Sequence, residues 1–260
     1  MTWSDFIWFA APASILWLTS GAVIYLKRSW AKSLANALML GGIGVFALFI
    51  VLFWISLERP PMRTMGETRL WYSLFISLVG YVAYRRWNHS WLLSFSGIVA
   101  TVFTIINILK PEIHSKTLMP ALQSVWFIPH VTSYILSYSM LGAATIGAVI
   151  ALSKRRYTAE IFHFIDNMVY IGYGFLMLGL LMGALWAKDA WGHYWSWDPK
   201  ETWAFITTAG YLIYIHLRLR TKGVDLRLPL WLVIFSFVLL MITWLGVSYL
   251  PSAQGSIHVY

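Results

Sequence analysis

Eight long runs of apolar residues determine what this chain can fold into. Each is about 20 residues long, the length that an α-helix needs to cross the hydrocarbon core of a bilayer. The runs lie at approximately 4–26, 33–57, 69–87, 91–109, 128–152, 166–187, 202–219 and 229–250. Of the 260 residues, 59% are hydrophobic and 11% are charged, which excludes a soluble globular domain. We therefore predict an all-α, polytopic bundle of about eight transmembrane helices.

The connections between the runs give no sign of separate domains. They are all about 20 residues or shorter, and no internal repeat is evident, so we expect one membrane domain over residues 1–260. The first run lacks a preceding basic segment and is longer than a signal-peptide core, which predicts a retained helix. The chain has no cysteine, so any thiol in its chemistry must come from a partner.

Lysine and arginine are unevenly distributed between the two sets of loops. The loops after the first, third, fifth and seventh runs carry 12 of these cations and the other side carries seven, out of 19 in total. The positive-inside rule makes the first set cytoplasmic. Both termini and the loops 58–68, 110–127 and 188–201 are then expected outside. This topology, rather than nucleic acid binding, accounts for the net charge of +9.

The predicted outer loop at about 186–203 is rich in tryptophan. It contains five of the 16 tryptophans, namely Trp186, Trp191, Trp195, Trp197 and Trp203. An aromatic belt at the headgroup level would place one or two rings at each helix end, without the glycine and acidic residues found here. Indoles beside a tight Trp191-Gly192 turn instead predict a flat apolar shelf for a large planar ligand, and haem fits that description.

Polar residues of the same loop have two interpretations each. Asp198 and Pro199 can be the N-cap and first residue of the seventh helix, with Glu201 near its positive end, and this structural role competes with direct contact to a ligand. Lys200 can pair with a haem propionate, or it can be an interfacial cation that snorkels.

These residues resemble the WWD signature of haem-handling proteins in cytochrome c biogenesis. The signature is carried by Trp191-Gly-x-x-Trp195-x-Trp197-Asp198-x-x-Glu201. Its continuation, from Thr-Trp203-Ala to Tyr214-Ile-His216-Leu-Arg218, is similar to the ResC/CcsA branch of System II. The resemblance extends from about Trp126 to the C terminus. It implies that haem b is bound by Trp191, Gly192, Tyr194, Trp195, Trp197, Asp198, Lys200, Glu201 and Trp203.

The resemblance also implies partners and a location. The partners would be a ResB/Ccs1-type membrane protein and apocytochrome c with its Cys-x-x-Cys-His segment. The chain would lie in the bacterial cytoplasmic (inner) membrane with the tryptophan loop on the periplasmic side, moving haem outward for covalent attachment. We assign no catalytic residue, so whether this component of a haem lyase catalyses the ligation or only templates it is open.

Two histidines on the predicted outer side are candidate ligands of the haem iron. His130 stands at the outer end of the fifth run, and an ionisable residue entering an apolar segment is a functional candidate. His258 follows the last run, and two outer imidazoles satisfy the topological condition for bis-histidine ligation. The resemblance implies this role for both residues. His193 is the alternative to His258, because a ligand close to a chain end is prone to fraying.

His216 is expected at a different depth from these outer ligands. Counted from Trp203 at about 1.5 Å per residue, it lies roughly 20 Å below the outer surface. It is either a snorkelling histidine beside Arg218 or the one histidine clearly buried in the bundle. The resemblance implies a transmembrane haem ligand whose opposing ligand comes from the partner. His89, His114 and His163 are interpreted as polar residues without a ligand role.

Other functions stay open at this point. One is a haem chaperone or exporter of the CcmC type, although the eight runs and the C-terminal histidine favour System II. A second alternative is a bis-histidine electron-transfer subunit, which prefers ligand pairs on facing helices within the bundle. A third is a transporter without a cofactor, in which paired broken helices would be expected. No site residue is assigned in the outer segment 58–72, where only the aromatic-Ser-Leu end is reminiscent of the family.

Overall fold

The chain is all-helical in a computed structural model that describes residues 1–110, 124–155, 157–220 and 227–251. Those residues form eight α-helices, as the apolar runs predict. The helices are α1 (Phe6–Val23), α2 (Ala31–Leu57), α3 (Met65–Trp87), α4 (Trp91–Leu109), α5 (Phe127–Ser153), α6 (Ala159–Trp191), α7 (Pro199–Arg220) and α8 (Arg227–Met241). Each predicted run falls on one of these helices, and this confirms the all-α class.

Six of the described helical segments are long and apolar enough to cross a membrane. They are Trp3–Val23, Ala31–Leu57, Trp91–Leu109, Phe127–Ser153, Ala159–Trp191 and Arg227–Gly246. The chain is therefore an integral membrane protein, because only a bilayer buries so many long apolar helices. α3 and α7 are of comparable length but carry charged residues at both ends. A total of eight spans stays a prediction.

The helices divide into two compact units of four. The first unit is Met1–Leu118, with α1–α4, and the second is Met119–Tyr260, with α5–α8. In the first unit α1 packs against α2 and α4, and α3 packs mainly against α4. The second unit repeats this pattern, with α5 against α6 and α8, and with α7 mainly against α8. The two units thus share one pairing pattern that no sequence repeat marks.

The tryptophan-rich segment is more helical than expected. α6 continues past Trp186 to Trp191 and α7 begins at Pro199, so the connection between them is only residues 192–198. With 33 residues, α6 is about 50 Å long, well beyond the hydrocarbon thickness of roughly 30 Å. Polar residues such as Lys188 therefore extend the helix beyond the apolar core instead of ending it.

A polar cluster fastens α7 to α6. The Asp166 carboxylate on α6 accepts a hydrogen bond from the Tyr214 hydroxyl at 2.6 Å. It also accepts two from Arg218, from Nε at 2.9 Å and from Nη2 at 2.7 Å. The Arg218 guanidinium lies over the Phe162 ring, 4.5 Å from its centroid. Because Tyr214 and Arg218 are one helical turn apart, this cluster fixes the face of α7 that meets α6.

α8 changes its helical type near its end. It is followed by a π-helical turn, Ile242–Gly246, and a 3-10 turn, Val247–Tyr249. The hydroxyls of Thr243 in the π turn and Thr207 in α7 are hydrogen bonded at 2.9 Å. Such π turns occur frequently near functional sites.

Candidate functional site

The connection between α6 and α7 turns sharply at both ends. Gly192 ends α6 with a φ of 87°, a conformation that suits glycine, and its N–H donates to the carbonyl of Lys188 at 3.0 Å. The Lys188 ammonium donates back to the Gly192 carbonyl at 2.7 Å. Trp197 has a φ of 59°, which is uncommon for a bulky side chain. Trp197 is 64% exposed, although it stands in this conformation beside the first turns of α7.

The Glu201 carboxylate holds the second half of the connection in place. Its Oε2 atom accepts hydrogen bonds from the backbone N–H groups of Ser196 at 2.8 Å and Asp198 at 3.1 Å. The Asp198 carboxylate accepts in turn from the backbone N–H of Lys200 at 2.9 Å. Both carboxylates are buried, Asp198 at 7% and Glu201 at 8% exposure. These contacts confirm the predicted N-cap role of Asp198 and place Glu201 in the capping position three residues later.

Lys200 lies half-buried in the first turn of α7. Burial lowers the pKa of its ammonium, and the neighbouring Asp198 carboxylate acts in the opposite direction. Its two interpretations, pairing with a propionate and snorkelling, both stay predictions.

The aromatic rings of the segment form two groups rather than one flat shelf. The outer group is Trp195 and Trp197, which meet edge-on with centroids 5.7 Å apart, and Trp197 also meets Phe205 of α7 at 5.9 Å. Tyr194 is exposed, and the Lys188 ammonium lies 5.6 Å from its ring centroid. The surface is therefore stepped, because neighbouring indoles prefer perpendicular contacts.

The inner group of rings packs between α5 and α6. Trp186 is buried against Phe127, with ring centroids 5.2 Å apart, and meets Trp191 edge-on at 4.9 Å. Trp203 is half-buried near the start of α7. Trp191 therefore contacts the packed interface of α5 and α6 through Trp186.

His130 in α5 lies beside this inner group. Its ring stacks on Trp186 at 5.4 Å, and Tyr134 meets it edge-on at 4.6 Å. Its Nδ1 atom is 2.8 Å from the carbonyl oxygen of Gly179 on α6. Because a carbonyl can only accept, Nδ1 carries the proton and donates it. The lone pair of the neutral ring then lies on Nε2, the arrangement found in imidazoles that bind a metal through Nε2.

Sequence reasoning missed the aromatic side chains that continue from His130 along α5. Tyr134 stacks with Tyr138 at 5.5 Å, and Tyr138 meets Trp244 of the π-helical turn at 5.3 Å. The available signal was the spacing of His130, Tyr134 and Tyr138, which at four residues each places them on one helix face.

The expectation that His216 is buried is wrong. Its side chain is exposed, and its Nδ1 donates to the Leu212 carbonyl one turn earlier at 2.9 Å. His216 is two residues from Tyr214 and two from Arg218, so it lies on the opposite side of α7 from the Asp166 cluster. Counting residues gives the position of His216 along α7 but not the side of the helix on which it lies.

Of the other histidines, His258 and His114 lie outside the part of the chain that the structure describes. His193 is exposed in the connection, His163 is exposed on α6, and His89 is half-buried before α4. Within the described ranges, no group of three or more histidines and carboxylates could hold a bare metal ion.

The first unit contains a connecting segment, between α2 and α3, that is folded in the same manner. Glu67, three residues after the N-cap Thr64 of α3, accepts two hydrogen bonds from the Arg59 guanidinium at 2.8 and 2.9 Å. It also accepts one from the backbone N–H of Arg63 at 2.7 Å. The Trp71 indole donates to the Pro61 carbonyl at 2.8 Å. A buried glutamate in the first turn of the next helix thus shapes both segments.

Replacing Glu201 with glutamine should loosen the connection between α6 and α7. The N–H groups of Ser196 and Asp198 would lose a charged acceptor, and hydrogen bonds to charged groups contribute about 1.5–3 kcal/mol. We expect amide hydrogen exchange at these two residues to become at least about tenfold faster, since 1.4 kcal/mol corresponds to that factor. Glu160→Gln, an exposed glutamate in the first turn of α6, is the matched control. Unchanged exchange at both amides would contradict the role given to Glu201.

Comparison with known proteins gives a family match over most of the chain. Residues 63–253 match the family described as cytochrome C assembly protein. The chain is 31% identical to the cytochrome c biogenesis protein CcsA of Mesostigma viride, over 97% of this chain and 96% of that protein. It is 30% identical to CcsA of Chlamydomonas reinhardtii, over 84% of this chain and 67% of that protein.

A solved structure shares the fold. Cytochrome c Heme Lyase CcmF aligns with a TM-score of 0.67 and 20% sequence identity, over 97% of this chain and 48% of CcmF. The chain therefore spans about half the length of CcmF, and at this identity the likeness shows the fold alone. Together with the extended match to CcsA proteins, these comparisons show that the chain belongs to the CcsA/ResC family of cytochrome c biogenesis proteins.

Proposed function

We propose that this protein holds haem b at the outer face of the membrane and presents it for covalent attachment to apocytochrome c. It would do so together with a ResB/Ccs1-type membrane partner. Family membership supports cytochrome c biogenesis as the process. The observation that carries the more specific proposal is the state of His130, whose Nδ1 proton is donated to a backbone carbonyl beside the tryptophan-rich segment.

The chemistry of the described residues fits a haem group. An imidazole that binds iron must be held in one orientation, and the Nδ1 bond of His130 with its stacking on Trp186 supports this condition. A planar macrocycle also needs aromatic surface, which Trp191, Trp195 and the exposed Trp197 provide. Lys200, near the start of α7, is a cation of the kind that pairs with a propionate.

Orientation of the reacting groups would be the main contribution of this chain. Haem supplies two vinyl groups, and each thiol of a Cys-x-x-Cys-His segment adds across one vinyl double bond, with sulfur and hydrogen ending on its two carbons and no group leaving. His130 and a second outer histidine would hold the ring from both faces, while the indoles cover its plane and exclude water. Fixed geometry of this kind can accelerate a reaction without a nucleophile or general base from the protein.

The second outer ligand is proposed to be His258, with His193 as the alternative. The family resemblance supports His258. The exposed position of His193 in the connection leaves its side chain room to turn toward a ligand.

His216 is proposed to hold haem in the inner half of the membrane, opposite a ligand from the partner subunit. Its exposure on the side of α7 away from Asp166 supports this role, because a second protein can reach that side. The Nδ1 bond to Leu212 again leaves the lone pair on Nε2.

We place the tryptophan-rich segment on the periplasmic side of the bacterial cytoplasmic membrane. The natural chain has no cysteine, so single-cysteine variants report the side directly. Tyr194→Cys should react with a membrane-impermeant maleimide in spheroplasts, whereas Arg85→Cys should react only after the membrane is opened. Both positions are exposed, which makes their reactivities comparable. The reverse pattern would overturn the orientation.

Haem binding and its product test the proposed function. We expect the chain purified with a co-expressed ResB-type partner to show the spectrum of low-spin bis-histidine haem, and a cytochrome c reporter to acquire covalent haem only with that partner. His130→Ala should lose the outer haem and regain it with added imidazole, since the freed position accepts the small ligand. His163→Ala, an exposed histidine of α6, is the control and should behave as wild type.

Other outcomes separate the alternatives. A colourless complex would contradict the proposal. Stable haem that exchanges electrons with quinone, without covalent cytochrome, would favour the electron-transfer subunit. Haem release without any need for the partner would favour a chaperone of the CcmC type. His216→Ala should lower the haem supplied to the outer site without removing the outer ligand.

A further inference from the structure

We infer that Gly179 and Gly183 of α6 form a seat that fixes the orientation of the His130 ring. This inference rests on the proposed function in one respect, because the orientation matters if His130 binds the haem iron. The two glycines would then be positioning residues for that ligand. Neither residue belongs to the tryptophan-rich segment.

Gly183 leaves the space that the imidazole occupies. A Cβ atom added at this position would lie 2.8 Å from both Nδ1 and Cε1 of His130. Non-bonded heavy atoms of this kind prefer roughly 3.5–4.0 Å. The ring of His130 can therefore rest against the backbone of α6 only where residue 183 has no side chain.

Gly179 acts through its carbonyl group and through its missing side chain. Its carbonyl oxygen accepts the Nδ1 proton of His130 at 2.8 Å. An added Cβ would lie 2.6 Å from Cε1 of Tyr134, whose ring meets His130 edge-on. A side chain at residue 179 would thus displace Tyr134, which supports one edge of the imidazole.

The two glycines of α6 and the two rings of α5 have the same spacing along their helices. Gly179 and Gly183 are four residues apart, as are His130 and Tyr134, so each pair lies on one helix face. Small residues at this spacing commonly let membrane helices approach closely. Here the space is filled by two rings from α5, and Trp186 closes the imidazole from another side.

Glycine in a helix interior needs a compensating reason, because it is less favourable than alanine by about 1 kcal/mol. General packing of α5 against α6 is one such reason, and Gly172 illustrates it, whereas Gly174 does not. An added Cβ at Gly172 would lie 3.0 Å from the Leu141 side chain, away from His130. At Gly174 it would meet nothing within 4 Å. These two positions on the same helix supply matched controls.

The test compares Gly183→Ala with Gly174→Ala and Gly172→Ala in the complex with the ResB-type partner. Gly183→Ala should lower outer haem affinity at least tenfold and alter its low-spin spectrum, because the imidazole is pushed off its seat. Gly174→Ala should match wild type in both measurements. Gly172→Ala should keep the wild-type haem spectrum even if its melting temperature changes.

A second measurement needs no haem. Nitrogen NMR of histidine-labelled protein in lipid should show His130 with the proton on Nδ1, identified by its loss in His130→Ala. Gly183→Ala should change this signal and Gly174→Ala should not. If the wild-type protein has this signal but binds no haem, the seat stands and the proposed function fails.

A double variant covers the case in which Gly183→Ala does not fold. Removing the imidazole removes the clash, so His130→Ala/Gly183→Ala should be as stable as His130→Ala alone. Imidazole should restore haem to the double variant only at higher concentration than to His130→Ala, since the added methyl group fills the seat. The inference would be overturned if the double variant were as unstable as Gly183→Ala. It would also be overturned if Gly183→Ala kept the wild-type haem affinity and NMR signal.

Discussion

The hydrogen bond from His130 Nδ1 to the Gly179 carbonyl is the interaction on which the candidate site depends. It joins α5 to α6, selects the tautomer of the imidazole and sets the direction of Nε2. A helix carbonyl has a second lone pair beyond its own helical bond, so it can accept this proton without opening α6. The contact is possible because two glycines bring the α6 backbone close to the ring. A ligand held in this way would need little reorganisation when it binds iron.

Three carboxylates, of the buried Glu201 and Glu67 and the half-buried Asp166, organise the surroundings of this site and of the first unit. Glu201 and Glu67 each gather backbone N–H groups of the preceding segment, and Asp166 gathers the donors of Tyr214 and Arg218. A carboxylate in a weakly polar environment is costly unless donors surround it, so each of these groups dictates the local path of the chain. The same device serves both units, which also share one pattern of helix pairing.

Much of the helical framework could be predicted because the length of an apolar run is a local property. The N-cap role of Asp198 was also predictable, since capping depends on residues close in sequence. The seat at Gly179 and Gly183 could not be predicted, because it depends on which face of α6 meets α5. The expectation that His216 is buried was wrong for the same reason: its position along α7 follows from counting residues, but the side of α7 on which it lies follows from the Asp166 cluster on another helix. The sequence predicted a flat aromatic shelf in a loop, but the helix ends extend into that loop, and the rings form two groups with tilted contacts.

The most direct measurement is a high-resolution electron cryomicroscopy structure of the chain purified in lipid with its ResB-type partner and haem. The account predicts iron bonded to Nε2 of His130 while Nδ1 still contacts the Gly179 carbonyl, with indoles of the tryptophan-rich segment against the porphyrin. Haem ligated entirely by other residues, with the His130 ring turned away from α6, would contradict it.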